Sequence, residues 1–275
     1  VYGQPGTVTE HLKIDQFGYP TDVSKVCVIN NPVSGFDFNQ GDFYTPGGTL
    51  QVRKLSDNSL VFSASTTSWH GGATYDQSGD KVWWFDFSSV TTPGTYYIYD
   101  PSNNKRSFAF DIRDDVYKEV LKQAVRMFYY QRSGFAKTAA FAYDWTDGAS
   151  HLGPLQDLDC RLATNPVAST SKTLQGGWFD AGDYNKYVNF AYEPIHDLCM
   201  AYIERPEIWT DDYNIPESGN GIADLLDEVK WELDWLLRMQ EPNGSVLMKV
   251  SVPQWEAASP PSADTAPRRY GPAQA

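Results

Sequence analysis

The first part of the chain, up to about Ile112, consists of short apolar stretches separated by turn-forming residues. The stretches are rich in aromatic and β-branched side chains, and they are Val26–Ile29, Leu50–Leu55, Val82–Phe87, Tyr96–Tyr99 and Phe108–Phe110. Clusters of Gly, Pro, Asn, Asp and Ser interrupt them, for example at 92–94 and 101–104. Many short strands within about 100 residues, interrupted in this way, predict a β-sandwich.

Beyond Asp114 the apolar positions take on a helical spacing. Val116, Val120, Ala124 and Phe128 recur at every fourth residue. The acidic residues that precede them suit a helix start, because carboxylates complement the positive end of the helix dipole. The sequence therefore predicts a change from strands to helices at this point.

Two further helical patterns follow. One covers about Tyr184–Ile203, and a clearer one covers Ile222–Leu237 with Asn220 as a candidate N-cap. Pro-Asn-Gly at 242–244 predicts where the third helix stops. The last 25 residues contain five prolines, so we expect them to be loop-like.

The segment 176–184, with the sequence GGWFDAGDY, carries the clearest chemistry in the chain. Its glycines favour a shaped turn, and the turn holds Asp180 and Asp183 three residues apart. Two neighbouring carboxylates can hold a water molecule and take its proton, which is the general-base half of an inverting glycoside hydrolysis. Two other interpretations stay open: Asp183 as the N-cap of the following helix, or calcium ligation by the pair.

The longer segment 176–188, GGWFDAGDYNKYV, resembles the signature of glycoside hydrolase family 9. Three other segments resemble the same family, in the family's order along the chain. IDQFGYP at 14–20 is similar to the opening of the immunoglobulin-like module that precedes many bacterial family 9 domains. The segments 114–134 and 220–229 are similar to helices of the family's barrel.

The resemblance implies a multidomain fold. An N-terminal all-β immunoglobulin-like sandwich covers residues 1–112, and the first part of an all-α (α/α)6 barrel, the glycoside hydrolase catalytic domain, covers residues 113–275. The family's barrel has twelve helices, and the residues after Ile112 are too few to form them all. We therefore expect the rest of the barrel, including the Glu that is the family's general acid, to be missing or to lie on a complementary chain.

By the same resemblance, Asp183 is the general base and Asp180 orients the nucleophilic water. The predicted substrate-binding residues are Trp178, Tyr184, Tyr187, Arg269 and Tyr270. For the three aromatic residues near the turn, ordinary packing is the alternative. For the last two, which lie in a Pro-rich segment, the alternative is a solvated loop.

Many family members that carry the immunoglobulin-like module bind a structural zinc through two Cys and two His. Carried over by position, these ligands fall at Ser133, Cys160, Arg161 and Phe179, of which only Cys160 is of a zinc-binding type. A tetrahedral structural site needs four N or S ligands. We therefore expect no zinc and no required cofactor.

Calcium is harder to exclude. Asp224, Asp227 and Glu228 cluster at a predicted helix start, after Ser218 and Gly219, and they supply the hard oxygen ligands that calcium prefers. Acidic residues in a first turn also complement the helix dipole without any metal. A structural calcium therefore stays open.

Composition narrows the class of partner. The chain has 35 acidic and 22 basic residues and a net charge of −13. This charge disfavours binding to nucleic acid or to anionic membranes, and it suits a protein that acts on a neutral polymer. The sequence contains no transmembrane run and no signal peptide. The resemblance implies a secreted, periplasmic or cell-surface protein of bacterial type.

Three functions stay open from the sequence. The first is an inverting endoglucanase or cellulase that cleaves β-1,4-glucosidic bonds of cellulose or related plant β-glucans. The second is a family 9 exo-β-glycosidase such as an exo-glucosaminidase, because the turn carries the chemistry but not the sugar preference. The third, from another class, is a non-catalytic carbohydrate-binding fragment.

Overall fold

The computed structural model describes residues 3–38, 43–254 and 258–274. The chain folds into two compact units, Val1–Leu121 and Lys122–Ala275, each with its own hydrophobic core. Strands dominate the first unit and helices the second. Among the described residues, no helix is both long enough and apolar enough to cross a lipid bilayer.

Two largely antiparallel sheets form the first unit. Their strands are β1 Thr7–Val8, β2 Leu12–Lys13, β3 Val26–Pro32, β4 Thr49–Lys54, β5 Leu60–Ser65, β6 Thr67–Ser68, β7 Asp80–Asp86, β8 Gly94–Asp100, β9 Lys105–Arg106 and β10 Phe110–Ile112. One sheet has the order β1-β9-β8-β4-β5, with β10 also paired to β8. The other has the order β2-β3-β7-β6.

The two sheets share one apolar core, which confirms the predicted β-sandwich. In β3, Cys27 and Ile29 are fully buried whereas Val28 is exposed, because successive side chains point to opposite faces of a sheet. Leu50 and Val52 of β4 are also fully buried and join the same cluster from the other sheet. Each fully buried aliphatic side chain stabilises the fold by about 1.5–3 kcal/mol.

The helices follow the sandwich, as predicted. They are α1 Lys118–Gln131, α2 Ala139–Ala142, α3 Val188–Glu204 and α4 Asp224–Met239. Short strands lie between and after them: β11 Arg161–Leu162, β12 Lys186–Tyr187, β13 Val246–Leu247, β14 Lys249–Ser251, β15 Arg269–Tyr270 and β16 Ala273–Gln274. Strands β11, β15, β14 and β12 form one sheet in that order, β13 pairs with β16, and α3 packs against α4.

The helix predicted from about Tyr184 begins later, at Val188. Lys186 and Tyr187 pair with β14 instead, in a short antiparallel ladder. Tyr184 has a φ of 56°, which lies in the left-handed region and outside the right-handed helix. The turn at 180–183 is therefore separated from α3 by a strand.

Two predictions about the second unit are wrong. Asn220 is not the N-cap of α4, because the residue before the helix is Ala223 and the Asn220 Oδ1 accepts the N–H of Ile222. The last 25 residues are not uniformly loop-like, since Arg269–Tyr270 and Ala273–Gln274 are strands. Strands of two residues are too short to produce a recognisable alternation in the sequence.

Candidate active site

The glycine-rich segment 176–185 forms a turn that packs closely on α4. A Cβ at Gly177 would lie 2.7 Å from the indole ring of Trp235, and the φ of 78° at this position is one that glycine favours. The N–H of Asp180 donates to the carbonyl of Asn185 at 2.9 Å and closes the turn. The backbone therefore fixes the positions from which both carboxylates project.

Asp183 is held by Asn185. The Asn185 Nδ2 donates to the Asp183 Oδ2 at 2.6 Å, and the Asn185 N–H lies 3.3 Å from Oδ1. Asn185 is itself buried: its Nδ2 also donates to the Tyr187 hydroxyl at 3.1 Å, and its Oδ1 accepts the N–H of Val252 at 3.2 Å. Because α3 begins only after β12, Asp183 is not its N-cap. An isolated Asn carries no motif, so the sequence gives no sign of this contact.

Asp180 is exposed and lies on the wall of a cavity of about 230 Å³. Aromatic side chains form much of the rest of the wall, and they are Phe128, Trp178, Phe179, Tyr187 and Phe190. Aromatic rings present large, flat apolar faces. The cavity thus combines a carboxylate with surfaces on which a sugar ring can stack.

Only some of the predicted substrate-binding residues lie at this cavity. Trp178 and Tyr187 line it together with Asp180. Trp178 is 7% exposed, and its ring packs on Phe128 with 4.6 Å between the ring centroids. Tyr184 is not among the lining residues, and its hydroxyl donates to the carbonyl of Ala258 at 2.7 Å.

Arg269 and Tyr270 form strand β15, so the prediction of a loop at this position is wrong. Neither residue is among those that line the cavity. Tyr270 is 5% exposed, and its hydroxyl donates to the carbonyl of Thr170 at 2.8 Å. The Arg269 Nη1 donates to the carbonyl of Arg268 at 2.8 Å. The pairing of β15 with β11 and β14 turns Tyr270 into the core of the unit.

Glu232 of α4 reaches the same cavity. Its Oε2 accepts the N–H of Trp178 at 2.6 Å, and the side chain is 2% exposed. Burial raises the pKa of Glu232 to about 8, although Trp178 and Lys186 both act to lower it. Glu232 is therefore mostly protonated at neutral pH and braces the turn. The sequence does indicate that Glu232 is buried, since it follows Val229 by three residues and so lies on the apolar face of the helix.

Arg132 connects α1 to α4 next to the turn. Its buried guanidinium donates to Glu228 at 3.0 and 3.1 Å and to Glu217 in two bonds of 3.0 Å. The main chain around Arg132 also pairs with the turn, because the Phe179 N–H donates to the carbonyl of Gln131 at 2.8 Å. Burial raises the pKa of Glu228 to about 7, against the lowering effect of Arg132.

A second buried network holds both ends of the turn. The Lys186 Nζ donates to the Asp157 Oδ2 at 2.6 Å and to the carbonyl of Gly176 at 2.7 Å. The Arg268 Nε lies 3.4 Å from the Asp157 Oδ1, and the Arg268 Nη2 donates to the carbonyl of Tyr184 at 2.5 Å. Although burial alone would raise it, the two cations hold the pKa of Asp157 below its usual range.

The residues at the positions expected for zinc do not fit a zinc site. Burial raises the pKa of the Cys160 thiol to about 12, and this side chain lies in an apolar cluster. The Ser133 Oγ donates to Asp157 at 3.2 Å, and Arg161 pairs with Asp159 at 3.0 Å. Among the described residues, no cluster of three or more metal-ligating side chains includes Cys160.

The acidic residues considered for calcium are arranged differently from the prediction. Glu228 points to Arg132, with 3.0 Å between the Arg132 Nε and the Glu228 Oε2. Asp224 and Asp227 lie with Asp211 instead, and this is the one cluster of potential metal ligands in the part of the chain that the structure describes.

The chain matches two known family models. Residues 117–274 match glycosyl hydrolase family 9, and residues 7–105 match the cellulase N-terminal ig-like domain. The chain therefore belongs to glycosyl hydrolase family 9 and carries an immunoglobulin-like domain. Both confirm the resemblances seen in the sequence.

Relatives and solved structures agree with this assignment. The chain is 37% identical over 199 residues to the xyloglucan-specific endo-beta-1,4-glucanase of Bacteroides ovatus. The aligned region covers 67% of this chain and 31% of that protein. It is 36% identical over 199 residues to endoglucanase D of Acetivibrio thermocellus, with coverages of 71% and 30%. A solved family 9 structure from Bacteroides ovatus superimposes with a TM-score of 0.82 at 26% sequence identity. The superposition covers 97% of this chain and 46% of the solved chain. The chain thus spans about a third of the length of these curated relatives.

Proposed function

We propose that the protein is an inverting glycoside hydrolase that cleaves β-1,4-glucosidic bonds of cellulose or a related plant β-glucan. The main support is one turn that carries two carboxylates: Asp183, which is hydrogen-bonded to Asn185, and Asp180, which lines an aromatic cavity. Family membership and the names of the endoglucanase relatives support the substrate class. Because a polymeric glucan cannot cross a membrane, we also propose that the protein acts outside the cytoplasm.

In this proposal Asp183 is the general base. Its carboxylate accepts hydrogen bonds from Asn185 alone among the described residues, and each oxygen keeps a lone pair for a water molecule. Asp180 is exposed and orients the same water. The water attacks the anomeric carbon directly, so no covalent intermediate forms and the configuration inverts.

We place the general acid on a Glu outside this chain. Glu232 is the glutamate that lines the cavity among the described residues, but it is 2% exposed and its Oε2 accepts the Trp178 N–H. A general acid must come within hydrogen-bond distance of the leaving-group oxygen. A side chain as enclosed as Glu232 does not meet that requirement.

Product stereochemistry tests the roles of the two carboxylates. The complete enzyme is mixed with β-1,4-linked gluco-oligosaccharides, and the new reducing end is followed by NMR during the first minutes. We expect the α-anomer to appear first, because water activated by Asp183 attacks from the face opposite the leaving group. If the β-anomer appears first, a covalent intermediate forms and the assignment of Asp183 as base is wrong.

Mutation separates the enzyme from a binding module. Asp183→Ala should lower kcat by about 10²–10⁴-fold, the usual contribution of a general base, and leave substrate binding nearly unchanged. Asp144→Ala, at an exposed aspartate outside the turn, serves as the matched control. The substrates are carboxymethylcellulose, xyloglucan and chitosan oligomers. Release from chitosan oligomers alone would favour the exo-glucosaminidase, and binding without any release would favour the carbohydrate-binding fragment.

A further inference from the structure

Tyr184, which directly follows the proposed base Asp183, has a strained main chain. Its φ is 56°, in the left-handed region that is unfavourable for most residues with a Cβ and that glycine usually occupies. Such a conformation persists only where the surrounding contacts fix it, and it occurs preferentially at functional sites. The strain therefore lies next to one of the two carboxylates of the proposed site.

The main chain of Tyr184 is held at both its N–H and its carbonyl. The N–H donates to the carbonyl of Ala181 at 3.0 Å. The carbonyl accepts a hydrogen bond from the Arg268 Nη2 at 2.5 Å. Arg268 is fully buried and its Nε lies 3.4 Å from the Asp157 Oδ1, so an ion pair fixes the donor itself. These contacts hold Tyr184 in the left-handed conformation.

The side chain of Tyr184 is anchored outside the cavity. Its hydroxyl donates to the carbonyl of Ala258 at 2.7 Å. Its ring packs against the rings of Phe179 and His151, with 5.2 and 5.7 Å between the ring centroids. Tyr184 is not among the residues that line the cavity. A direct contact with a bound sugar therefore does not explain the strained main chain.

The conformation of Tyr184 determines how Asn185 meets Asp183. The Asn185 Nδ2 donates to the Asp183 Oδ2 at 2.6 Å, and the Asn185 N–H lies 3.3 Å from Oδ1. The carbonyl of Asn185 also accepts the N–H of Asp180 at 2.9 Å. The φ and ψ of Tyr184 set the direction in which the chain continues. A right-handed or extended Tyr184 would rotate Asn185 away from both aspartates.

We propose that Tyr184 is a positioning residue for Asp183, the general base. Its left-handed main chain, held by Arg268, directs the carboxylates of Asp183 and Asp180 toward one water molecule. Tyr184 acts through Asn185 and does not touch the substrate. This inference rests on the proposed function, because it concerns the base of that reaction. It gives Tyr184 a role in the main chain in place of the predicted contact with a sugar.

An arginine suits this role better than a lysine would. Arg268 places two nitrogens of one planar guanidinium on different partners, Nε near Asp157 and Nη2 on the carbonyl of Tyr184. A lysine ammonium is a single nitrogen on a flexible stem. Arg268→Lys therefore keeps a positive charge beside Asp157 but cannot reproduce both contacts at once.

Two substitutions at Tyr184 in the complete enzyme separate the main chain from the side chain. Tyr184→Asn and Tyr184→Val both remove the ring and the hydroxyl, but asparagine tolerates left-handed angles whereas β-branched valine strongly disfavours them. Steady-state kinetics on a soluble β-glucan give kcat and KM, and melting curves show whether each variant is folded at the assay temperature. Tyr184→Val should have a kcat about 10–100-fold lower than Tyr184→Asn and a similar KM, because a misdirected base affects the reacting water more than the bound sugar.

Tyr143 provides the matched control. It also has a positive φ, 52°, and it is exposed and not among the residues that line the cavity. Tyr143→Val should therefore have the same kcat as Tyr143→Asn, even where its melting temperature is lower. Arg268→Lys should lower kcat with little change in KM. If Tyr184→Val does not fold, Tyr184→Ala carries the same prediction, since alanine also disfavours left-handed angles.

Equal kcat values for Tyr184→Asn and Tyr184→Val would overturn the inference, because the left-handed main chain would then not position the base. An equal rise in KM in both variants, with kcat unchanged, would assign the ring to sugar binding and overturn it as well. Asp183→Ala, assayed beside them, separates the inference from the proposed function. If Asp183→Ala is inactive while the two Tyr184 variants have equal kcat, only the inference is wrong. If Asp183→Ala is as active as the parent, the proposed function and the inference are both wrong.

Discussion

The Asn185 Nδ2 lies 2.6 Å from the Oδ2 of Asp183, and within the described part of the chain no other side chain forms a hydrogen bond with that carboxylate. The orientation of the Asp183 carboxylate, the proposed base, therefore depends on the side-chain amide of Asn185. That amide is fixed in turn by the Tyr187 hydroxyl and by the N–H of Val252. Asn185 is thus a positioning residue rather than a catalytic one.

Asn185→Ala should lower kcat by about 10–100-fold and change KM little, because misdirection of the base affects the reacting water more than the bound sugar. Steady-state kinetics on a soluble β-glucan give both constants, and a melting curve shows whether the variant is folded at the assay temperature. Asn165→Ala, at an exposed asparagine, is the control. If Asn185→Ala instead raised KM by a similar factor and left kcat unchanged, Asn185 would act on sugar binding rather than on the base.

The turn can be predicted from the sequence because its chemistry is contiguous. Asp180 and Asp183 lie within one glycine-rich segment, and the residue types alone indicate what the segment can do. The strands and long helices can be predicted for a related reason, since their apolar periodicity repeats over several residues.

The buried supports of the turn cannot be predicted in this way. Arg268 lies 111 residues from Asp157 in sequence, and Lys186 lies 29 residues from it, yet all three meet in one network. No local periodicity relates such residues, and a charged residue in a Pro-rich segment is normally expected in solvent. The burial of Tyr270 cannot be predicted locally either, because only the pairing of distant strands turns its side chain inward.

The pH dependence of stability should carry a contribution from Glu232. Its pKa is about 8 in the folded protein, and an unfolded Glu ionises near about 4.3. The folded state therefore holds the proton over this interval, and this group makes stability fall as the pH rises from about 4.3 to about 8. Glu232→Gln keeps an acceptor for the Trp178 N–H but does not titrate.

Urea unfolding of the parent and of Glu232→Gln at several pH values measures this contribution. The free energy of unfolding of the variant should depend less on pH between about 4.3 and 8. Glu193→Gln, at an exposed position of α3, should follow the parent. Identical pH slopes for the parent and Glu232→Gln would show that Glu232 is ionised in the folded protein.

His151 should contribute with the opposite sign. Burial, together with the nearby Arg268, lowers its pKa to about 4, and its Nε2 lies 3.1 Å from the Asp264 Oδ2. Between about 4 and the unfolded value of about 6.5 the unfolded chain binds more protons, so stability is lost as the pH falls through this range. The slope reaches at most about 1.4 kcal/mol per pH unit. NMR titration of the His151 ring measures the folded value directly, and a midpoint near 6.5 would contradict the prediction.

Arg132→Met should destabilise the protein by about 3–5 kcal/mol, because it leaves Glu228 buried without its cation. The loss should be smaller at pH 5 than at pH 8, since Glu228, whose pKa is about 7 even beside Arg132, then takes up a proton and becomes neutral. The double variant Arg132→Met/Glu228→Leu should recover much of the loss, because it removes both buried charges. Urea unfolding of the single and double variants at the two pH values measures each effect. A double variant no more stable than Arg132→Met would mean that Arg132 acts through its contacts with Glu217 and Trp231 rather than through Glu228.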